Sequence, residues 1–415
     1  MNETGLTAPD YSFNSQHTAL IVGAGLAGCA TAHALAKRGY QCKIYDQHTD
    51  IAKGASAIPA AIVRPTKSGD SRYADYFNEA FSYCIASTDD SVFNQTGVLQ
   101  LIPSDYITST NPLARSDVQH LNSKQASALA DTELNSAALY FSTSGWLNPS
   151  SMCQQWAAHP NIEFRGNCPV TELRHTEFGW QLLTTQSKVV DESQLVIMAS
   201  AHTTSQMLHK CHLPLQTVRG QIDQYELQND APTIRTVITG DGYLIPDTAG
   251  PTADERGTAK TGSSKQRLWV GATHQRNNTN TTIQQQDVTT NLATSRRLAR
   301  QLSLSDYPTR SFAGIRTSTP DRLPLIGAMP DIDHYQKAYS ELRHGRRHQS
   351  FAPPVYHQGL YITTGFGSRG VTQSAFAGEL LASLITASNW RRDVLKSTHP
   401  ARFFLRDLRR GVSLS

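Results

Sequence analysis

The chain has 415 residues, of which 39% are hydrophobic and 17% charged, the latter below the roughly 25% usual in soluble proteins. That length suggests roughly two to three domains and a core large enough to fold without disulfides or a metal. Disorder is excluded, since it needs low hydrophobicity with high net charge, and a net charge of +4 is too small to identify a partner.

Six cysteines, Cys29, Cys42, Cys84, Cys153, Cys168 and Cys211, show no short paired spacing, so neither a zinc ribbon nor a disulfide scaffold is expected. His209, Cys211 and His212 form a local cluster of soft ligands, but one stretch without a second ligand pair cannot close a tetrahedron, and no metal is expected. No apolar run approaches the roughly 18 residues of a membrane span. Residues 1–16 lack the basic-then-apolar order of a secretory signal. The expectation is a soluble, cytoplasmic protein with no membrane partner.

In chain order, residues 18–23 (TALIVG) form an apolar run typical of a buried parallel strand. It leads into Gly23-Ala24-Gly25-Leu26-Ala27-Gly28, an Ala-rich helical stretch ending at Gly39, and a second strand over 41–45 closed by Asp46. Gly23 permits a tight turn, Gly25 lets the backbone approach a pyrophosphate, and Gly28 lets helix and strand pack closely. The helix start offers unpaired N–H groups and a partial positive charge to phosphates, and Asp46 can accept from a ribose hydroxyl. Strand, helix, strand and acid in this order predict dinucleotide binding, without separating FAD from NAD. Further along, TVRGQIDQYEL, GDGYLIP and RLWVGAT read as strands of a β-rich second layer. The loops 247–267 and 275–287 are polar and expected to be mobile. No internal repeat is visible, so solenoids and propellers are not expected.

Four stretches resemble the D-amino-acid-oxidase/glycine-oxidase superfamily of flavoproteins, in that superfamily's order. They are the glycine fingerprint; Gly54-Ala55-Ser56 leading into AAIVRP; Leu195 to Ala201 (LVIMASA, containing Ala199); and Gly359 to Gly370. Within it, VRGQI (218–222), DGYLIP (241–246), GIRTSTPDRLPLIG (314–327) and GFGSRG (365–370) resemble the oxidoreductase domain of bacterial tRNA wobble-uridine enzymes that act on 5-carboxymethylaminomethyl-2-thiouridine. Ala201 departs from the pattern, standing where a glycine is usual, and 247–267 looks like an insertion. Bifunctional members also carry an N-terminal methyltransferase; about 17 residues precede the first strand here, far short of a domain, so the expectation is at most the oxidising half.

The resemblance implies an α/β (mixed α+β) fold, with a Rossmann-like FAD-binding domain and a β-rich substrate domain, D-amino-acid-oxidase-like. The FAD domain would be discontinuous, over 17–70, 146–213 and 355–390. Segments 71–145 and 214–354 would form the substrate domain, with an N-terminal tail of 1–16 and a basic C-terminal tail of 391–415. Noncovalent FAD is implied, because Gly314 stands where some sarcosine-oxidase relatives carry a flavin-linking cysteine. Ala55, Ser56 and Ala199 would flank the cofactor. Gly365, Gly367, Ser368, Arg369 and Gly370 would form a loop feeding a helix toward the flavin, with Arg369 beside the ring or facing tRNA.

The implied reaction oxidises a uridine arm that is in effect an N-substituted glycine, leaving aminomethyl-uridine and glyoxylate. Arg316 would hold its carboxylate as a two-donor fork and Tyr243 would assist; a structural ion pair and a core aromatic are the alternatives. No residue is identified as a general base.

For tRNA, and its anticodon loop in particular, two basic clusters are candidates. One is 343–348, with Arg343, Arg346 and Arg347. The other is 391–410, with Arg402, Arg406, Arg409 and Arg410 among seven basic against two acidic residues, a local charge of +5. The alternative for the second is a solvated basic helix. A separate methyltransferase acting on the product is a candidate partner. Two other readings of the whole chain remain: an oxidase of small amines or amino acids (glycine, sarcosine or a D-amino acid), and a flavoprotein without turnover that binds RNA.

Overall fold

A computed structural model describes residues 18–66, 73–103, 116–208, 211–228, 233–247, 266–345, 350–388 and 390–414. The N-terminal tail 1–16, His209, Arg346, Arg347 and most of the polar stretch 247–267 lie outside the described residues.

Among the described residues, six strands form one sheet in the spatial order Leu325–Pro330, Tyr356–Thr364, Leu195–Met198, Thr18–Val22, Gln41–Tyr45, Ile162–Arg165. All neighbours run parallel except the edge strand Leu325–Pro330, which is antiparallel to Tyr356–Thr364. The sheet is covered on both faces, so its central strands are apolar throughout, as buried parallel strands must be. Side chains alternate between two cores. Ala19, Ile21, Leu195 and Ile197 face the helix Leu26–Ala36 (α1) and the helix Gly370–Ile385. Leu20, Val22, Val196 and Met198 face the other way, toward Trp180 and Leu182 of an antiparallel meander and toward Phe403, Phe404 and Leu408 of the helix Ala401–Arg409.

That second core corrects the expectation of a C-terminal tail. Residues 401–414 are a packed layer of the nucleotide-binding half, with Phe403 2% and Phe404 3% exposed. The placement of Leu325–Pro330 in this sheet likewise moves it out of the segment 214–354 assigned above to the substrate domain. Its six residues are all buried.

The second large sheet runs through Gln216–Glu226, Arg267–Gly271, Tyr243–Asp247, Val237–Thr239, Val98–Leu101, Ala138–Phe141 and Val118–Leu121, with Arg310–Ser318 paired antiparallel to Gln216–Glu226. The three runs expected to be strands, TVRGQIDQYEL, GDGYLIP and RLWVGAT, lie here. No helix among the described residues is long and apolar enough to cross a membrane.

Candidate active site

A cavity of about 1210 Å³ opens where the C-terminal ends of the parallel strands meet the second sheet, at the position where open α/β sheets receive ligands. It exceeds the roughly 300–1,000 Å³ of a drug-sized pocket, leaving space for a dinucleotide and a substrate arm together.

At one end the strand Thr18–Val22 stops and Gly23 takes φ +111, its amide donating to Tyr45 O at 2.8 Å. A Cβ on Gly23 would stand 2.5 Å from the carbonyl oxygen of Ala199, and one on Gly28 would stand 1.9 Å from that of Gly23. Neither position admits a side chain, so the turn closes tightly against α1. The first intrahelical bond runs from Cys29 N to Gly25 O at 3.0 Å, so the amides of Ala27 and Gly28 have no intrahelical acceptor and are available to an anion. Ser56 Oγ accepts from Leu26 N at 3.1 Å, which makes Ser56 a cap of α1 as well as part of the cavity wall. Asp46 is more engaged than its motif role implies. Its Oδ2 accepts from Ala24 N at 2.7 Å; its Oδ1 accepts from His48 N at 2.9 Å and lies 2.7 Å from His48 Nδ1. Three of about four lone-pair positions are taken, leaving one for a ribose hydroxyl.

The opposite wall is cationic. Arg316, on the strand Arg310–Ser318, lies against Gly220, where a Cβ would stand 2.1 Å from Nη2. Among the described residues no carboxylate lies within ion-pair distance of Arg316. Tyr243 lines the same space; burial pushes its phenol up to about 12 against the opposing pull of Arg316, so it is a protonated donor at neutral pH. Arg64 and Arg369 join them. Burial, reinforced by Arg369, lowers Arg64 to about 10; burial and then Arg322 lower Arg369. Arg369, exposed at the cavity mouth, sits 4.5 Å over the Phe77 ring and Arg64 lies 5.6 Å from that of Phe141, ring faces that favour a cation. Against these cations, Asp46 is the one acid among the described lining residues. Such a wall suits an anion.

The match to the family model for FAD dependent oxidoreductases (DAO) spans residues 18–384. The chain belongs to this FAD-dependent oxidoreductase family. Similar curated proteins are the tRNA 5-methylaminomethyl-2-thiouridine biosynthesis bifunctional proteins MnmC of Pseudomonas syringae pv. syringae (strain B728a) and Chromobacterium violaceum. Each is 29% identical over 415 residues, which is 95% of this chain and 60% of the relative. The chain thus spans about three fifths of these relatives. Among solved structures, glycine oxidase from Geobacillus kaustophilus superposes with a TM-score of 0.70 at 19% identity, covering 93% of this chain and 99% of that one. L-proline dehydrogenase from P. horikoshii does so at 0.70 and 15%, covering 94% and 98%.

The residues present fit the family's FAD. The side-chain-free turn at Gly23 and Gly28 and the open amides of α1 suit its pyrophosphate, and Ala55, Ala199, Gly365, Gly367, Ser368 and Gly370 line the same cavity. Gly367–Arg369 form a single 3-10 turn feeding the helix Gly370–Ile385, as expected for that loop. His202 Nδ1 and Thr317 Oγ1, both on this wall, are buried without a hydrogen-bond partner among the described residues. Ala201 has φ +54, the left-handed geometry that explains why a glycine is usual there.

The basic candidates fare differently. Arg402 is not a surface cation: Nε and Nη2 donate to Asp321 at 2.8 and 3.1 Å, and Nη2 also donates to Leu323 O at 2.9 Å. Arg406 pairs with Asp407 at 2.8 Å and lies over Phe403. Arg343, Arg409 and Arg410 are exposed, away from the cavity lining. Sequence reasoning missed Arg64; a single guanidinium ending the otherwise apolar AAIVRP run was the available signal.

Proposed function

We propose that this chain oxidises the 5-carboxymethylaminomethyl arm of a tRNA wobble uridine, with or without 2-thiolation, to 5-aminomethyl-uridine and glyoxylate. The observation that carries the reading is Arg316, a guanidinium with no acid partner among the described residues, beside a protonated Tyr243 in the cavity that takes the cofactor. The names of the curated relatives support a tRNA substrate.

FAD bound here supplies the two-electron acceptor. Arg316 binds the arm's carboxylate through paired N–H donors, and the Tyr243 hydroxyl donates to the same group. Two anchors on one carboxylate fix the adjacent methylene, the carbon that is oxidised. Loss of a hydride from that carbon and a proton from nitrogen gives an imine; water adds and the C–N bond breaks, releasing glyoxylate and the primary amine. Arg64 and Arg369 keep the wall positive, which favours an anionic arm. Outside the cavity, exposed Arg276, Arg343, Arg409 and Arg410 are the phosphate-facing candidates. A primary amine product makes a separate methyltransferase the partner expected next.

The test is anaerobic mixing of the FAD-loaded protein with tRNA from cells lacking this activity. That tRNA should bleach the flavin at a concentration at which free glycine or sarcosine does not, the small amino acids acting only slowly and at forcing concentration. Bleaching by glycine at a comparable rate would replace this reading with a small-molecule oxidase.

A further inference from the structure

The polar segment expected to be a mobile loop is instead tied down from beneath. Arg219, fully buried on the strand Gln216–Glu226, donates from Nε to Asn280 O at 2.5 Å and from Nη2 to Thr282 O at 2.7 Å. Its Nη1 is ion-paired with the buried Asp287, at the start of the helix Gln285–Leu298. Gln221, two residues along the same strand and on the same face, takes the next step of the ladder. Its Oε1 accepts from Gln284 N at 2.9 Å, and its Nε2 donates to Gln284 O at 3.3 Å. Asn278 Oδ1 and Asn280 Oδ1 accept from Asn280 N and Thr282 N, each at 2.9 Å, and Asn277 N donates to Thr217 O at 2.8 Å.

The anchored carbonyls belong to residues 280, 282 and 284. The residues that line the cavity are the alternate ones, Thr279, Thr281 and Ile283. Gripping the carbonyls of 280, 282 and 284 holds the backbone on both sides of Thr281 and Ile283, and the residues between the grips are the ones on the cavity rim. There they are exposed, Ile283 at 44%, and neither threonine hydroxyl has a partner among the described residues. A strap anchored by a buried ion pair, yet presenting two unused hydroxyls and one unburied isoleucine, is organised toward something outside the fold.

We infer that residues 277–284 are the specificity rim of this site, reading the group carried on the nitrogen of the glycine-like arm, and that Arg219 is its positioning residue. With the carboxylate held at Arg316, the other substituent on the amine must leave the cavity. A planar nucleoside with polar edges suits this rim, with Ile283 against the ring face and the two hydroxyls on edge or ribose oxygens. A small N-methyl group would not reach it. The inference rests on the function proposed above in taking that substituent to be a nucleoside.

The experiment uses the FAD-loaded full chain, with Thr279→Ala/Thr281→Ala and Ile283→Asp as surface variants and Arg219→Lys as the anchor variant. Anaerobic flavin reduction is followed over a range of concentrations of hypomodified tRNA, and of sarcosine up to forcing concentration as a small N-alkylglycine. With one reduction per flavin, the half-saturating concentration stands for KM and the limiting reduction rate for kcat. The surface variants should keep their FAD content and their sarcosine rate while KM for tRNA rises about tenfold with kcat little changed; Arg219→Lys should show the same split. Wild-type KM for tRNA in both surface variants would overturn the rim, and equal loss on both substrates would show a purely structural strap. Should wild-type protein fail with tRNA yet respond to sarcosine, it is the proposed function that falls. The rim would then be overturned as a nucleoside reader too.

Discussion

Arg316 reaches the cavity because Gly220, on the neighbouring strand, leaves space for its guanidinium. On the function proposed above, replacing Arg316 by leucine removes one side of the charge pair with the substrate carboxylate, so kcat/KM for the carboxymethylated substrate should fall by about 2–5 kcal/mol equivalent with the flavin still bound. An unchanged kcat/KM in stopped-flow reduction would remove Arg316 from the site. Ala201 supplies a second residue-scale prediction. A left-handed conformation costs a residue with a Cβ roughly 1–2 kcal/mol, partly offset by the extra chain entropy glycine loses on folding. Ala201→Gly should therefore raise stability by about 0.5–1 kcal/mol in urea titrations. The glycine fingerprint was readable from sequence because its spacing encodes a backbone shape. The extent to which Asp46 is already partnered was not, since the amide of Ala24 and the ring of His48 meet it only after the turn has formed.

At the scale of elements, the helix Ala401–Arg409 shows how a charge count misleads. Its arginines suggested a nucleic-acid face, but its apolar residues alternate with them at helical spacing and bury one side against the sheet. The start of this helix is fixed by His399, whose Nδ1 accepts from Ala401 N at 3.1 Å. Burial, aided by Arg402, lowers this imidazole to about 3, while in the unfolded chain it titrates near 6.5. Below about pH 6.5 the unfolded state binds a proton that the folded state refuses. The stabilisation present above that pH is lost as pH falls toward 3. His399→Asn retains an acceptor for the Ala401 amide, and its melting temperature should vary less between pH 6.5 and 4 than that of the wild type. The strands of the second sheet were legible because short runs rich in apolar and β-branched residues are bounded by glycine and polar stretches, although most of their residues are buried. The strap at 277–284 was not, because its order comes from Arg219 and Gln221, some 60 residues earlier in the chain.

Across the whole molecule, the nucleotide-binding half is assembled from stretches that begin at residue 18 and end beyond residue 400. Ending the chain at residue 390 would strip Phe403, Phe404 and Leu408 from the core under the parallel sheet. The loss of one buried phenylalanine costs about 3–5 kcal/mol, and a typical domain has only about 5–15 kcal/mol in all. The shortened protein should therefore lose its cooperative melt and its FAD together. A yellow, cooperatively melting fragment would show the C-terminal layer to be dispensable.

Where α1 and the helix Gly370–Ile385 cross, a Cβ on Gly378 would stand 2.7 Å from the backbone of Ala30. The two rods are in hard contact, and both of their leading ends open on the cavity, through Gly25 to Ala27 and through Gly370 to Thr372. Gly378 lies about eight residues into its helix, roughly 12 Å from that end at 1.5 Å per residue. Valine there would act as a wedge, tilting one rod against the other and spreading the jaws that grip the dinucleotide. Yellow colour should then wash out on dialysis at temperatures where the far-UV circular dichroism is still native, a lesion of grip inflicted from two turns away.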